Sequence, residues 1–339
     1  MDRDSIKIAF IYIGTVIGAG FASGREIIDF FGVYGVNGII GMIICGCVFG
    51  FIGAFFLNKV YELKINNNNE LLKLIFSKKV VFFIESIVTI FLFVGFSIML
   101  SGSGAIFKEE FNLSYDIGIY IMAIFCFIVF ISELSGFALI NFILVPILIV
   151  GIIFLSTYII LKEGFIFSNV EGVKLTTKGN FITSAFLYVG FNSLLLSVVL
   201  SSLLPIISSK KTAIKGGALG GLALGIIGCF ILVPLLIYYT EIFKFEIPML
   251  RVSEYVSMYY KNIFSIVLWL AMFTTAIANG YGFIENRSNK VNRKVVSLIF
   301  CLCGIPMAKL GFSNLVTTIY PIFGYIGIMV LVASLYKLR

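Results

Sequence analysis

Gly14-Thr-Val-Ile-Gly18-Ala-Gly20-Phe-Ala-Ser-Gly24-Arg25-Glu26 is the stretch whose reading decides the fold. Four glycines fall within eleven residues of an otherwise apolar run. Each costs an α-helix about 1 kcal/mol relative to alanine. In lipid, an opened backbone persists only where protein or a wet cavity satisfies its N–H and C=O groups. Charges follow at once in Arg25, Glu26 and Asp29, so the segment reads as a half-helix entering a polar vestibule. Freed amides there could hold an anionic group and freed carbonyls a cation. Gly14-x-x-x-Gly18 also fits close helix packing through small residues, and at this point the sequence leaves both uses open.

The surrounding composition puts this stretch in a membrane. The chain has 339 residues, 60% hydrophobic and 12% charged, where a soluble domain is about 25% charged. One water-soluble core of this length cannot hide that much apolar surface. The opening residues run straight into a long apolar stretch with no small-residue cleavage site, which reads as a retained first span. Histidine is absent, which removes His-ligated metals and haem and His-based acid–base catalysis. The six cysteines, Cys45, Cys47, Cys126, Cys229, Cys301 and Cys303, all lie in apolar runs. They are expected to be small buried hydrophobes, because Cys-x-Cys on a helix points the two thiols about 200° apart.

Runs of about 20 apolar residues suffice to cross the hydrocarbon layer, and ten are counted. Spans 1 to 5 are placed at Ile6–Phe31, Gly38–Val60, Val80–Phe107, Ile117–Ser132 and Phe137–Leu161. Spans 6 to 10 are placed at Phe181–Ile207, Gly216–Tyr239, Ile263–Ile284, Val295–Leu310 and Leu315–Tyr336. With both termini cytoplasmic, sixteen of the 25 Lys and Arg residues fall on inner loops and tails and eight on outer loops, Arg25 being inside span 1. That positive-inside bias predicts an even number of spans in a plasma-membrane protein. It also explains the net charge of +8 without nucleic acid. Asn66–Lys79 is expected to be an inner loop with a short interfacial helix, and Leu250–Lys261 an outer amphipathic helix. No stretch between spans is long enough for a soluble catalytic module.

An internal echo organises the spans. Ala9-Phe-Ile-Tyr-Ile-Gly14 recurs as Ala185-Phe-Leu-Tyr-Val-Gly190, with four identities in six residues. Five spans precede the second copy's span, so the two halves run in opposite senses. Inverted five-helix repeats that each begin with an interrupted helix are an architecture of secondary transporters. Polar Asn192 and Ser193 follow Gly190 at a midplane depth, where polar residues are functional candidates, although they also join helices.

These residues carry a family resemblance. Gly14-Thr-Val-Ile-Gly-Ala-Gly-Phe-Ala-Ser-Gly24 resembles the signature of the YkvI family of bacterial membrane proteins. More broadly, the pattern is similar to the leucine-transporter (LeuT) fold of the amino acid–polyamine–organocation superfamily. Tyr188-Val-Gly-Phe191 resembles the broken sixth helix of those transporters, where an acidic residue often stands at the Asn192 position. Ala271-Met-Phe-Thr274-Thr275 is similar to the Ala-x-x-Thr-Ser/Thr pattern that supplies a sodium site in sodium-coupled members. Setting Gly18-Ala19-Gly20 on the family's Gly-x-Gly implies Gly14 and Ile17 as carbonyl donors, beside Ala271 and the two hydroxyls. Oxygen donors of this kind suit a hard cation; buried Thr pairs also bond their own helix. The resemblance spans essentially the whole chain, and its sharp motifs lie in spans 1, 6 and 8.

The resemblance implies one all-α transmembrane transporter domain over residues 1–339. Its two inverted repeats would cover about 6–161 and 181–336, with helices 1 and 6 interrupted. The implied activity is symport of an amino acid or related small organic solute by alternating access, with sodium as the coupling ion and no enzymatic reaction. The solute would meet Gly18, Ala19, Gly20, Phe21, Ser97, Ser101, Tyr188, Gly190, Phe191 and Asn192. Ser103 is expected on the same wall, and Arg25 resembles, within about one residue, a gating arginine at the outer mouth. Proton coupling is the nearby alternative. Some proton-driven relatives place a lysine on helix 5, but Phe137–Leu161 holds no Lys, Arg, Asp or Glu. Glu85 and Glu133 read as residues at inner helix ends. An uncoupled solute transporter is another alternative, and a non-transporting solute sensor or interaction protein a further one, which accumulation in vesicles would distinguish. A channel is disfavoured because no ring of like charges or repeated filter sequence occurs.

Overall fold

Why the chain folds as ten crossing segments follows from where helices can continue. The computed structural model describes residues 2–132, 137–168, 179–288 and 292–338. Its helices in chain order are α1 (Arg3–Val16), α2 (Ala19–Ser23), α3 (Arg25–Phe30), α4 (Val36–Leu63), α5 (Asn68–Ile75), α6 (Lys78–Phe111), α7 (Tyr115–Ser132) and α8 (Phe137–Glu163). The second half contains α9 (Phe181–Ser201), α10 (Lys210–Ile237), α11 (Tyr239–Ile242), α12 (Pro248–Glu254), α13 (Met258–Ser288), α14 (Arg293–Ala308) and α15 (Phe312–Lys337). Among the described residues, eight helices are long and apolar enough to span a bilayer unaided. The remaining two crossings are span 1, divided into α1, α2 and α3, and the 16-residue α14.

Glycine sets the most extensive helix pair, α4 against α10. A Cβ on Gly46 would stand 2.7 Å from the Gly225 Cα, one on Gly50 would stand 3.2 Å from the Leu222 side chain, and one on Gly53 would stand 2.7 Å from the Gly217 carbonyl. Without side chains in the way, the two backbones touch, and dispersion and weak backbone contacts replace the hydrophobic drive that lipid cannot supply. These are the second crossings of the two halves. The pairing extends symmetrically, with α1 packing on α10 and α4 packing on α9. The pattern is what a pseudo-two-fold axis between inverted halves produces.

The symmetry is not exact. The first and last crossings of the second half, α9 and α15, pack along much of their length. Among the described residues, the equivalent α1 and α8 meet only sparsely, where Gly14 faces Val145. On the opposite side from the termini, the 239–257 segment closes over the bundle: α12 packs on α2, α10 and α13.

Several expectations are corrected here. The interruption expected in span 6 is absent: α9 runs unbroken from Phe181 to Ser201 and ends in a 3₁₀ turn at Leu204–Ile206, short of Ile207. The physical reason is the use of its glycine. A Cβ on Gly190 would meet the Gly324 carbonyl at 2.4 Å, and one on Gly327 would meet the Gly190 carbonyl at 1.8 Å. Gly190 therefore serves helix crossing, not helix opening. The segment Leu250–Lys261 is divided between α12 and the first turn of α13. Cys47 and Cys303 are exposed on the outer faces of their helices, while Cys45, Cys126 and Cys301 are buried as expected. The interfacial helix is present as α5, capped by Asn67 and burying Leu71, Leu72 and Ile75. Glu85 accepts from the Asn69 side chain beside it, and Glu133 lies outside the described residues.

Candidate functional site

The break in span 1 is built by backbone geometry at Ile17 and Gly18. Ile17 takes φ −76° and ψ 86°, and the Gly18 N–H turns back to the Val16 carbonyl at 2.9 Å, an inverse γ-turn. The chain then runs extended through Gly18 before α2 begins. Ile17 donates to Ile13, and Ala22 donates to Gly18. The carbonyls of Gly14, Thr15 and Ile17 are thereby left outside the helical ladder. In a membrane such groups persist only where they line a cavity or meet a partner.

A second break follows at Gly24, whose φ of +77° lies in the left-handed region. A side chain there would also strike Met249 at 2.6 Å, so only glycine lets the 239–257 segment sit this close. The Ser23 hydroxyl bridges the turn, donating to the Gly20 carbonyl at 2.6 Å and accepting from the Arg25 N–H at 3.2 Å. The turn re-aims α3. Arg25 and Asp29, one helical turn apart, pair on one face with Arg25 Nη2 2.5 Å from Asp29 Oδ1. Glu26 lies about 100° round the helix from Arg25 and faces inward, 5% exposed.

Around that inward face lies a cavity with about 90 Å³ of space for water-sized molecules. Its walls come from spans 1, 3, 6, 8 and 10. Span 1 contributes Thr15, Gly18, Ala19, Gly20 and Glu26, and α6 contributes Phe91, Val94, Gly95, Ile98 and Met99. Phe191 and Asn192 on α9, Thr275 and Asn279 on α13, and Tyr320 and Phe323 on α15 complete it. Phe191 stacks on Tyr320 at 4.0 Å between ring centroids, and Phe91 meets Phe323 edge-on at 4.9 Å. A larger groove, bordered by Ile43, Leu222, Ile226 and Phe230, is almost wholly apolar and offers nothing to orient a polar solute.

Of the expected solute contacts, the cavity brings together Gly18, Ala19, Gly20, Phe191 and Asn192. Tyr188 stands one layer behind, donating its hydroxyl to Glu26 Oε2 at 3.2 Å. Phe21 is buried in the core and Gly190 at the α9–α15 crossing. Ser97 and Ser101 are not on the cavity wall. Helical periodicity puts Val94, Gly95, Ile98 and Met99 on that face and turns Ser97 away, while Ser101 shares the side of Val94 but lies two turns further along α6. Ser97 donates to the Phe93 carbonyl at 3.0 Å within its own helix. Ser101 donates to the Ala308 carbonyl at 2.7 Å, joining α6 to α14, and Ser103 donates to the Gly118 carbonyl at 2.8 Å, joining α6 to α7.

The oxygens expected to hold sodium fit a hard cation in part. Gly14 and Ile17 carbonyls lie outside the ladder, as described, and Thr275 Oγ1 stands 3.9 Å from where a Cβ on Gly18 would be. Spans 1 and 8 therefore meet at the break. Thr274 and Thr275 both donate to the Ala271 carbonyl, at 3.1 and 2.8 Å. Their protons are thus engaged and their lone pairs remain as acceptors. The Ala271 carbonyl already accepts both hydroxyls and would have to share with an ion.

Arg25 stands on the side opposite the termini. Its guanidinium also donates to the carbonyls of Phe243 and Phe245, at 2.9 and 3.1 Å. The Thr317 hydroxyl donates to Asp29 at 2.7 Å. Nearby, Glu109 accepts the Glu246 N–H at 2.7 Å, and Glu246 accepts the Ser313 N–H at 2.6 Å. These bonds tie spans 1, 3 and 10 to the 239–257 segment and close the bundle on that side.

Sequence reasoning missed Glu26 as a cavity residue, and with it Asn279, Tyr320, Phe91 and Phe323. A signal for Glu26 existed: Arg25 and Asp29 are spaced to pair with each other, which leaves the intervening carboxylate without that cation.

With the site described, likeness to other proteins can be set against it. The chain is 30% identical over 338 residues to the uncharacterized membrane protein YkvI of Bacillus subtilis (strain 168), spanning 98% of this chain and 95% of that protein. The chain belongs to the YkvI family. This YkvI-family protein is also 25% identical over 335 residues to YyaD of the same organism, spanning 98% and 96%. No family model matches it. Among solved structures, inward-facing Mhp1 superposes with a TM-score of 0.68 at 16% identity, covering 95% of this chain and 73% of Mhp1. Closed Mhp1, a nucleobase-cation-symport-1 family transporter with bromovinylhydantoin bound, gives 0.62 at 15% identity, covering 92% and 74%. A mutant manganese transporter of Eremococcus coleocola gives 0.60 at 13% identity, covering 98% and 78%. The YkvI-family chain has the LeuT-like fold of these proteins.

Proposed function

We propose that the protein is a secondary transporter carrying a small organic solute, an amino acid or close relative, by alternating access with sodium coupling. The observation that carries this reading is the cavity at the doubly broken first span, closed on one side by the Arg25 network. Transport by alternating access needs a central site reached from one side at a time, with a bistable element at each mouth. The opened backbone supplies solute contacts at Gly18, Ala19 and Gly20, with Phe191 and Asn192 across the cavity. The Gly14 and Ile17 carbonyls with Ala271, Thr274 and Thr275 would hold the sodium ion and so join spans 1 and 8. Coupling follows if sodium binds one gate state more tightly than the other, since only differential affinity moves that equilibrium. Likeness in fold to named transporters is consistent with this reading. Proton coupling is the second reading, and the buried Glu26 favours it.

The experiment is uptake by proteoliposomes of a mixture of radiolabelled amino acids, with imposed sodium or proton gradients applied separately. Accumulation under an inward sodium gradient supports the proposal. Equal accumulation in sodium-free buffer with a proton gradient moves the coupling to the second reading. No accumulation under either gradient, from protein that is folded and binds solute, favours a sensor.

A further inference from the structure

We infer that the cavity selects a solute bearing a protonated nitrogen, with Glu26 as the carboxylate that receives its ammonium group. This deepens the proposed function and rests on its placement of the solute at this cavity.

The argument begins with charge. Glu26 is the acidic residue on the cavity wall, and no Lys or Arg lines it among the described residues. Its hydrogen-bond donor is the Tyr188 hydroxyl at 3.2 Å, and no Lys or Arg nitrogen pairs with it among the described residues. The nearest cation in the chain, Arg25, is engaged with Asp29. A carboxylate buried in a membrane protein is costly unless a cation or proton joins it. Such intramembrane carboxylates are functional candidates for that reason.

Geometry then distinguishes a solute cation from a bare proton. Four aromatic rings, Phe91, Phe191, Tyr320 and Phe323, line the same cavity. A proton has no use for them. An ammonium group gains from ring faces by cation–π attraction, most where it is desolvated. The remaining wall residues, Thr15, Asn192, Thr275 and Asn279, are neutral, so nothing repels a cation. The carboxylate is also held close to the opened backbone. Glu26 Oε1 lies 2.5 Å from where a Cβ on Gly20 would stand, and the Tyr320 hydroxyl 3.4 Å from the same point. Gly20 therefore gives the carboxylate its place, and the Phe191–Tyr320 stack borders it.

The test uses purified full-length protein and three sets of matched small probes at constant ionic strength. Ethylammonium and isobutylammonium are compared with ethanol and isobutanol, and with acetate and isobutyrate, by thermal stability. The leucine series (leucine, isopentylamine and 4-methylpentanoate) is run in parallel. Ammonium-bearing members are expected to stabilise the wild type, and their neutral and anionic counterparts are not. Glu26→Gln, checked for a monodisperse folded state, should raise the half-stabilising ammonium concentration by about tenfold or more, and Glu26→Asp should recover part of it. Failure of every ammonium probe to exceed its alcohol or acid counterpart overturns the inference. So does unchanged ammonium binding in Glu26→Gln, even if that variant loses proton-driven uptake, which would make Glu26 a proton carrier. Ammonium binding that needs Glu26 without any accumulation in vesicles supports the inference and removes the transport reading. Accumulation of an acidic solute unaffected by Glu26→Gln does the reverse.

Discussion

Arg25 donates to the carbonyl of Phe243 at 2.9 Å, a contact between residues 218 positions apart. The same guanidinium holds Asp29 on its own helix, so one side chain fixes α3 and the 239–257 segment together. If this pair opens, Arg25 is a gate; if it stays closed, it is a fixed structural tie. Movement decides between the two.

Arg25→Ala tests that movement. It removes the cation from beside a carboxylate that is 5% exposed. The cost to this closed state should be about 3 kcal/mol, the low end for breaking a buried pair. That is on the order of a hundredfold in the open-to-closed ratio. The measurement is labelling of Asn192→Cys by a membrane-impermeant thiol reagent from the side opposite the termini, with Cys47 and Cys303 replaced by serine. Labelling should be slow with Arg25 present and fast in Arg25→Ala, with Arg25→Lys between them. Equal rates in all three would make the pair structural.

Two glycines should respond oppositely to alanine. At Gly20 the added methyl meets the end of the Glu26 side chain, which can rotate away, so thermal stability should change little. Ligand binding should fall sharply because the displaced carboxylate leaves its position. At Gly327 the methyl would meet the Gly190 carbonyl at 1.8 Å, and backbone cannot rotate away. Gly327→Ala should destabilise by about 1–3 kcal/mol, read as a lowered melting temperature in detergent. A Gly20→Ala protein that binds normally would return that glycine to a packing role.

The contrast between these glycines also says what the sequence could reveal. The break in span 1 was legible because Gly14, Gly18, Gly20 and Gly24 crowd one helix and charges follow. Gly190 shares only the short Ala-Phe-x-Tyr-x-Gly echo with that stretch; it is packed on α15, and its partner Gly324 is 134 positions away and invisible to a local pattern. Hydroxyls on α6 misled for a related reason. Ser97 and Ser101 share a helical face, but only the neighbouring helices decide which face meets the cavity. Glu26 was hidden among charges that looked like a vestibule. Its isolation depends on Arg25 choosing Asp29, a pairing that the i,i+4 spacing suggests and the turn at Gly24 completes. The double hydroxyl at Thr274 and Thr275 was legible as a motif, and its contact with span 1 required the fold.

Topology is checked by labelling. The positive-inside bias predicts both termini and the α5 region in the cytoplasm. Asn66 in the loop before α5 and Lys244 between α11 and α12 are both exposed and lie at opposite ends of the bundle. Asn66→Cys should react only from the cytoplasmic face and Lys244→Cys only from the outside. The reverse pattern would invert the molecule and turn the Arg25 network into a cytoplasmic closure.

The last prediction concerns sodium. The Gly14 and Ile17 carbonyls lie outside the helical ladder, and the Thr275 hydroxyl reaches to within 3.9 Å of the Cβ position on Gly18. An ion held between these oxygens would bind the folded protein and not the unfolded chain, so it should stabilise by mass action. At a hundred times its dissociation constant, the gain is about 2.7 kcal/mol. The melting temperature should therefore rise with sodium chloride and not with choline chloride at equal ionic strength. Thr274→Ala combined with Thr275→Ala removes both hydroxyl acceptors and should raise the half-stabilising sodium concentration by about tenfold or more. Thr275→Ser keeps a hydroxyl and should retain most of the effect. These variants also remove two hydrogen bonds to the Ala271 carbonyl, so a general loss of stability is expected in both salts. Only the difference between sodium and choline reads the ion. If the wild type gains nothing from sodium over choline, or if the double alanine variant keeps the full difference, the ion is not held by these oxygens.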